Sequence, residues 1–329
     1  MSSSRQRRRL PTTLAVLAAA CCLAPIGSRA DYPERPLRML VEFPAGGASD
    51  VVARRVALRL SERFGQPVVV ENRSGAGGVI AHETVAQSPP DGYSLLLATT
   101  SVTTNPWLHK KLPYDTLRDF APVALLTDWA GLLVVHPSVP VKSLSELIKL
   151  AKASPGKLTY ASAGVGSWIH LATEMLKMRA GVNIVHVPYK GAVPALQDVL
   201  AGFVMIKIDS YITAMPHVKA GRLKLLAVST AERIPQLPDV PAFSEQGLPG
   251  FDSTIWLGVM ARAGTPKNTL AKLEQNIVAI IKERSMSDKL VEDGYRPRGN
   301  GAVEFGAFVR KELAQWQQVV KDAHITAAD

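Results

Sequence analysis

Three glycine-rich loops, each placed between an apolar run and a helix, constrain the fold of this chain most strongly. In chain order they span residues 43–50, 74–78 and 162–167. Each brings backbone N–H groups to a helix N-terminus, where the helix dipole favours negative charge, and glycine lets a ligand approach closely. The loops therefore predict an anion site built from backbone, although a single loop of this kind can also be only a tight turn.

Strands and helices alternate along the chain. The apolar pattern predicts strands at residues 37–43, 67–71, 94–98, 131–136, 157–161, 184–188, 204–209, 223–229 and 254–261. Alternation of this kind is typical of α/β proteins with parallel-rich sheets, in which ligands bind at the carboxyl ends of the strands. The strands are too many for one compact sheet, so we expect two α/β domains with a ligand cleft between them.

The first thirty residues have the pattern of a secretory signal peptide. Arginines at 5 and 7–9 precede a short apolar run at 14–23, and small residues at 28 and 30 suit a cleavage site near Ala30. The mature protein is therefore expected in the periplasm. A lipoprotein signal at 18–21 and a twin-arginine signal at 7–10 remain alternatives.

Charge and cysteine content exclude several functions. Cleavage near Ala30 removes five arginines and no acidic residue, which lowers the net charge from +10 to +5. The remaining basic residues are scattered, so no nucleic-acid partner is expected. Cys21 and Cys22 both lie in the predicted signal, and a mature chain without cysteine has no disulfide and no thiol chemistry.

Motifs typical of enzymes are missing. The chain has no Gly-x-Ser-x-Gly elbow, no Walker loop and no His-Glu-x-x-His helix, and no histidine has a partner three or four residues away. We therefore expect no catalytic residues, no cofactor and no metal. The alternative is an exported hydrolase that uses Ser167 with His170. In the competing interpretation His170 only fixes the shape of the third glycine loop.

Short ordered motifs run along nearly the whole mature chain. They lie at residues 32–36, 43–47 with Asp50, 71–78, 90–93, 105–106, 111–115, 119–123, 160–166, 170–172, 185–191, 237–241 and 263–266. With these motifs the chain resembles the periplasmic solute-binding proteins of the tripartite tricarboxylate transporter family, often called the Bug family.

The resemblance implies a two-domain periplasmic-binding-protein fold of the Venus-flytrap, type II-like kind. Domain 1 would comprise residues 31–131 and 257–329, and domain 2 residues 132–256, with crossovers near Gly131 and Gly258. It also implies a monomer that captures a small carboxylate (a di- or tricarboxylate, an acidic amino acid or an aromatic acid) and delivers it to membrane permease subunits. A ligand-sensing partner of a two-component sensor is the alternative.

The resemblance further implies the ligand-binding residues. They are Ala45, Gly46, Gly47, Asp50, Thr100, Ser101, Ser162, Gly164, Gly166, Ser167, Trp168, Tyr189, Lys190, Gly191 and Asp209. Trp168 and Lys207 depart from the family pattern, as do Thr103 and Met205. We expect Trp168 either to narrow the pocket or stack on an aromatic acid, or to turn outward and cover the loop. Lys207 is expected to pair with Asp209 or to meet a second carboxylate of the ligand.

Overall fold

The structure is a computed structural model that describes residues 32–322 and residue 325. The predicted signal peptide and both cysteines lie outside the described residues. The strands are β1 (Leu37–Val41), β2 (Val68–Asn72), β3 (Ser94–Thr99), β4 (Phe120–Ala130), β5 (Leu132–Val135), β6 (Thr159–Ser162), β7 (Val185–Pro188), β8 (Ile206–Asp209), β9 (Lys224–Val228), β10 (Thr254–Arg262) and β11 (Arg296–Gly301).

Helices connect most of these strands. The α-helices are α1 (Ala48–Phe64), α2 (Val79–Ala86), α3 (Ser101–Leu108), α4 (Thr116–Asp119), α5 (Leu144–Ala153), α6 (Trp168–Ala180), α7 (Ala192–Leu200), α8 (Tyr211–Lys219), α9 (Lys267–Lys282), α10 (Arg284–Glu292) and α11 (Ala302–Asp322). Short 3-10 turns lie at Ala76–Gly78 and Phe243–Gln246. None of the helices described is long and apolar enough to cross a membrane.

The first sheet has six strands in the order β11-β4-β10-β3-β1-β2. The three strands β2, β1 and β3 are parallel, and β10, β4 and β11 continue the sheet in alternating directions. The loops that follow β1, β2 and β3 therefore leave the sheet at the same edge. Two of them are the first two glycine-rich loops.

The second sheet has five strands in the order β7-β6-β8-β5-β9. β6 is parallel to β7 and β8, whereas β5 is antiparallel to β8 and β9. The reversal of β5 has a simple cause. Gly131 alone separates β4 from β5, so the chain enters the second sheet at the edge where the other four strands end.

Each sheet is covered by helices on both faces, as expected when strands are buried on both sides. Helices α1, α9 and α10 cover one face of the first sheet, and α2, α3 and α11 cover the other. Helices α5 and α6 cover one face of the second sheet, and α7 and α8 the other. Helix α11 belongs to both halves, because Phe305 and Val309 pack on the first sheet while Trp316 and Val320 join the core of the second.

The two connections between the sheets lie side by side. Ser229 N–H donates to Gly131 O, and Gly131 N–H donates to Ser229 Oγ, both at 2.8 Å. Ser229 Oγ in turn donates to Ser253 O at 2.7 Å. The second connection runs through residues 229–253 and enters β10, the strand that contains Gly258. Gly258 itself lies inside β10 between β3 and β4, under the ring of Phe305.

Candidate ligand-binding site

The first glycine-rich loop is held in shape by Asp50. Gly46 N–H and Arg54 Nε donate to Asp50 Oδ2, and Asn72 Nδ2 donates to Oδ1, each at 2.9 Å. Burial acts to raise the pKa of Asp50, but these hydrogen bonds outweigh it and keep the pKa below its usual value. Both carboxylate oxygens are thus engaged within the protein, so the side chain of Asp50 shapes the loop.

The loop ends at the start of α1 without a side-chain cap. Ala45 and Gly46 are exposed, and Gly47 is the N-cap residue. Because Gly47 has no side chain, the first N–H groups of this 17-residue helix have no side-chain acceptor. Gly46 has φ of +82°, a left-handed conformation that glycine adopts without strain.

The loop after β3 places Thr100 and Ser101 differently. Thr100 is 1% exposed, and its Oγ1 has no hydrogen-bond partner within the protein. Ser101 turns inward, where its Oγ donates to Glu42 Oε2 at 2.5 Å. Of the two predicted binding residues on this loop, only Thr100 therefore keeps an unpaired side-chain polar group.

A buried network around Glu42 and His82 connects the loops of the first sheet. His82 Nε2 lies 2.5 Å from Glu42 Oε2, and His82 Nδ1 lies 2.8 Å from the Tyr114 hydroxyl. Thr99 also donates to Glu42, which therefore joins the end of β1 to the end of β3 and to α2. Neither Glu42 nor His82 was predicted. The available signal was a glutamate at the end of the apolar run 37–41.

The third glycine-rich loop is fixed by its own serines and by His170. Ser167 Oγ donates to Gly164 O at 2.7 Å, and Gly166 N–H donates to His170 Nδ1 at 3.1 Å. Burial lowers the pKa of His170, which suits an imidazole nitrogen that accepts a hydrogen bond. The interpretation that His170 fixes the loop is confirmed. The side chains of Ser167 and His170 do not bond to each other, so the geometry gives no support to the hydrolase alternative.

A stack of three rings lies beneath this loop. The ring centroids of Tyr160 and His186 are 4.7 Å apart, and those of His186 and His170 are 4.3 Å apart. Ser162 Oγ lies 2.6 Å from His186 Nε2, so the predicted binding residue Ser162 is tied to the stack. Sequence analysis did not single out His186.

The loop after β7 is joined to the loop after β6. Tyr189 N–H donates to Ser162 O at 3.1 Å, while the Tyr189 hydroxyl donates to Asp198 at 2.5 Å. Burial and Asp198 raise the pKa of Tyr189 to about 12. Lys190 is exposed, and Gly191 is the N-cap of α7, which it begins without a side-chain hydrogen bond.

Trp168 is buried where the two halves of the protein join. Its side chain is 6% exposed and lies in the core of the second sheet, so the alternative in which it turns outward is wrong. The end of the indole, at Cη2, packs closely on Gly131, and a Cβ at position 131 would overlap both Trp168 Cη2 and Ile208 Cγ2. The indole Nε1 has no hydrogen-bond partner among the residues described here.

Lys207 and Asp209 form an ion pair at the end of β8. Lys207 is fully buried, and its Nζ lies 2.8 Å from Asp209 Oδ1. The expectation that Lys207 pairs with Asp209 is confirmed. Burial lowers the pKa of Lys207 and Asp209 opposes that shift. The second oxygen of Asp209, Oδ2, has no hydrogen-bond partner in the described part of the chain.

The predicted site residues thus form two groups, one at the carboxyl edge of each sheet. The third glycine-rich loop also lies close to the first half of the protein, because a Cβ at Gly166 would lie 2.7 Å from Leu108 Cδ1 on α3. Two surface cavities, one beside α9 and β11 and one between α1 and α10, contain none of the predicted site residues. Among the described residues, no cluster of His, Asp and Glu side chains is arranged to hold a metal ion.

Comparison with known proteins identifies relatives along almost the whole chain. Residues 52–325 match the family described as "Tripartite tricarboxylate transporter family receptor". Protein BugT of Bordetella pertussis is 35% identical over 316 residues, which cover 95% of this chain and 97% of BugT.

Solved structures are similar as well. Rpa4515 of R. palustris, solved with adipate, is 38% identical with a TM-score of 0.86, over 90% of this chain and 99% of that one. MatC from Rhodopseudomonas palustris, with bound malate, is 33% identical with a TM-score of 0.81, over 88% of this chain and 100% of that one.

The protein has two mixed sheets with loop clusters at their carboxyl edges. Together with these similarities, this architecture defines a periplasmic solute-binding protein. The chain belongs to the tripartite tricarboxylate transporter receptor family, which includes the Bug proteins. Members of this family are receptors and not enzymes. The family assignment and the two-part α/β fold predicted from the sequence are therefore confirmed.

Proposed function

We propose that this protein captures a small carboxylate between its two sheets and delivers it to the membrane permease subunits of a tripartite tricarboxylate transporter. The observation that carries the proposal is a pair of helix N-termini without side-chain caps. Helix α1 begins at Gly47 after the first sheet, and α7 begins at Gly191 after the second. Their N–H groups and dipoles favour an anion.

The charges around these helices support recognition by backbone groups. Lys207 is paired with Asp209, and Arg54 is paired with Asp50. The positive charges of Lys207 and Arg54 are therefore balanced by carboxylates of the protein and not by a ligand. Adipate and malate, the molecules found with the two similar structures, are both dicarboxylates. A carboxylate held mainly by N–H groups is consistent with both observations.

The fifteen predicted residues are our proposal for the site, in two roles. Five have side chains engaged within the protein and would act by holding the loops in shape: Asp50, Ser101, Ser162, Ser167 and Tyr189. The others would face the ligand: Ala45, Gly46, Gly47, Thr100, Gly164, Gly166, Trp168, Lys190, Gly191 and Asp209.

The same proposal includes the organisation of the mature protein. Residues 1–30 would be removed as a signal peptide, residues 31–131 with 257–329 would form domain 1, and residues 132–256 would form domain 2. Strand β10 begins at Thr254, three residues before the proposed boundary. The mature protein would act as a periplasmic monomer, and delivery to a permease is proposed in preference to signalling through a sensor.

A thermal-shift screen tests the proposed ligand class. The chain from residue 31 is heated with mono-, di- and tricarboxylates, amino acids and aromatic acids. The control for each acid is its methyl ester, with every carboxylate esterified. A ligand present at a hundredfold excess over its Kd should stabilise the protein by roughly 2.7 kcal/mol. Stabilisation by acids and not by esters supports the proposal. Stabilisation by esters to the same extent contradicts it, because esters lack the anion.

A further inference from the structure

The carboxylate of Asp209 is hydrogen-bonded in an unequal way. Its Oδ1 accepts from Lys207 Nζ at 2.8 Å, from Ser210 N–H at 2.8 Å and from Thr213 Oγ1 at 2.9 Å. Its Oδ2 accepts from none of the residues that the structure describes, although Asp209 is only 2% exposed. A buried carboxylate oxygen without a donor is costly, so a donor from outside the protein is expected to complete it.

Lys207 balances the negative charge of the Asp209 carboxylate. It lies in the interior of β8, between Val134 of β5 and Ala161 of β6, and has no exposed surface. Its Nζ has one side-chain partner, Asp209, and a distant carbonyl at 3.5 Å. The pair is therefore neutral as a whole. A neutral donor suits it better than a cation, because a buried ammonium would remain uncompensated.

Asp209 lies next to the place where the chain crosses between the sheets. It pairs with Leu132, the residue after Gly131, and the Trp168 indole packs on Gly131. The indole Nε1–H of Trp168 is an unpaired donor at this edge, as Asp209 Oδ2 is an unpaired acceptor. A ligand that satisfies both must carry an acceptor, which a carboxylate supplies, and also a donor.

We propose that the ligand is a hydroxycarboxylate whose hydroxyl donates to Asp209 Oδ2, and that Lys207 and Asp209 together determine this specificity. This inference rests on the proposed function, because it assigns the ligand class of the same site. Lys207 acts as a positioning residue, since it holds Oδ1 and leaves Oδ2 for the ligand.

Matched ligands test the inference on the wild-type protein. Isothermal titration calorimetry compares malate with succinate, 2-hydroxyglutarate with glutarate, and mandelate with phenylacetate. In the pair that binds, the hydroxy acid should bind roughly tenfold or more tightly, as a hydrogen bond to a charged group predicts. The O-methyl ether of that hydroxy acid should lose this gain, since it keeps the oxygen but not the donor.

Three results on the wild-type protein would overturn the inference. They are equal affinity within every pair, equal affinity of the methyl ether, and tighter binding of the amino acid of matching length than of the hydroxy acid. Binding of acids without a preference for the hydroxyl would leave the proposed function standing. Absence of binding by any carboxylate, including those without a hydroxyl, would instead refute the proposed function.

Variants locate the preference at Lys207 and Asp209. The double variant Lys207→Met with Asp209→Ala removes both charges and the carboxylate acceptor together, and it should bind the two members of a pair equally. Lys224→Met is the matched control. Lys224 lies at the far end of the same sheet, opposite Val135, and should leave the ratio unchanged. A preference that persists in the double variant contradicts the assignment, and the ether comparison decides the matter if that variant does not fold.

Discussion

Gly166 and Gly181 lie at the two ends of α6 and both have left-handed backbone, with φ of +80° and +62°. Replacement of either by alanine should cost about 1–2 kcal/mol of unfolding free energy, because L-residues are strained there. Their surroundings differ. A Cβ at Gly166 would meet Leu108 of α3, whereas nothing lies within 4 Å of a Cβ at Gly181.

We therefore predict that Gly166→Ala weakens ligand binding at least tenfold, while Gly181→Ala leaves it unchanged. The reason is that the Gly166 loop carries the proposed anion-binding backbone and touches the other half of the protein. Urea unfolding measures the cost to stability of each variant, and calorimetry with the best ligand measures affinity. If both variants keep wild-type affinity, the glycine at 166 serves only the turn.

The histidines beneath the third loop predict a dependence of stability on pH. Burial and the neighbouring His170 lower the pKa of His186 to about 4, from an ordinary value of about 6.5. Between these pH values the unfolded chain binds more protons at this residue than the folded chain does. The free energy of unfolding therefore falls as the pH decreases from about 6.5 to about 4.

His186→Phe should reduce the slope of unfolding free energy against pH by the equivalent of up to about one bound proton. Phenylalanine keeps a ring in the stack but does not titrate. The measurement is urea unfolding of wild type and variant between pH 7 and pH 4. His136→Gln, on a surface turn beside Ser138, is the control and should keep the wild-type slope. Identical slopes for wild type and His186→Phe would show that His186 is not kept neutral by the fold.

At the scale of elements, Glu42 joins β1, β3 and α2 through buried hydrogen bonds. Removal of Glu42 leaves the buried groups that donate to it without an acceptor, which costs roughly 1–3 kcal/mol for each unsatisfied group. We predict a loss of at least this size for Glu42→Leu.

The control for this prediction is Glu71→Leu. Glu71 lies in β2, opposite Leu40 of β1, and forms only partly exposed ion pairs, with Arg73 at 3.3 Å and Arg38 at 3.9 Å. Its replacement should therefore cost less than about 1 kcal/mol. Urea unfolding at pH 7 measures both. Similar losses for the two variants would mean that the network around Glu42 stabilises no more than a surface ion pair.

Elements with strong local signals were predictable from the sequence. Helix α5 has such a signal, because a serine at 143 followed by a glutamate at 146 is the sequence pattern of a helix start, and Ser143 Oγ accepts from Glu146 N–H at 3.1 Å. Strand β4, helix α3 and strand β11 were not predicted. Helix α3 contains Pro106, and β11, with the sequence RPRGNG, has no apolar pattern and exists because β4 offers it a partner.

The features of the candidate site also differ in how well the sequence predicts them. Loop positions could be predicted, since glycine at a strand end is a local signal. The partners of His170 and Lys207 lie within four residues along the chain and are therefore predictable from local sequence. Asp50 is only partly predictable, because it also bonds to Asn72, which is 22 positions away. Glu42 with His82 could not be predicted. The two residues are forty positions apart and meet only when α2 packs beside β1 and β3.

At the scale of the whole molecule, Gly131, Ser229 and Ser253 connect the two sheets through a compact set of hydrogen bonds. Few residues take part, so rotation of one half against the other is expected about this point. We predict that ligand binding reduces the radius of gyration of the mature protein in solution scattering. Identical profiles with and without saturating ligand would contradict closure.

The role of Gly131 in this closure can be tested separately. Gly131→Ala should weaken ligand affinity and reduce the compaction, because its Cβ would overlap Trp168 and Ile208. Gly306→Ala is the control, since a Cβ at that position makes only ordinary contacts at 3.6 Å or more. Compaction and affinity equal to wild type in Gly131→Ala would place the hinge elsewhere.

The central claim is that the protein binds a carboxylate and releases it unchanged. Its most direct test is calorimetry with the best acid from the thermal screen, followed by mass spectrometry of the ligand recovered after long incubation. We predict saturable binding of one molecule per chain and recovery of the same mass in full. A recovered ligand of altered mass, or no saturable binding of any carboxylate, would contradict the claim.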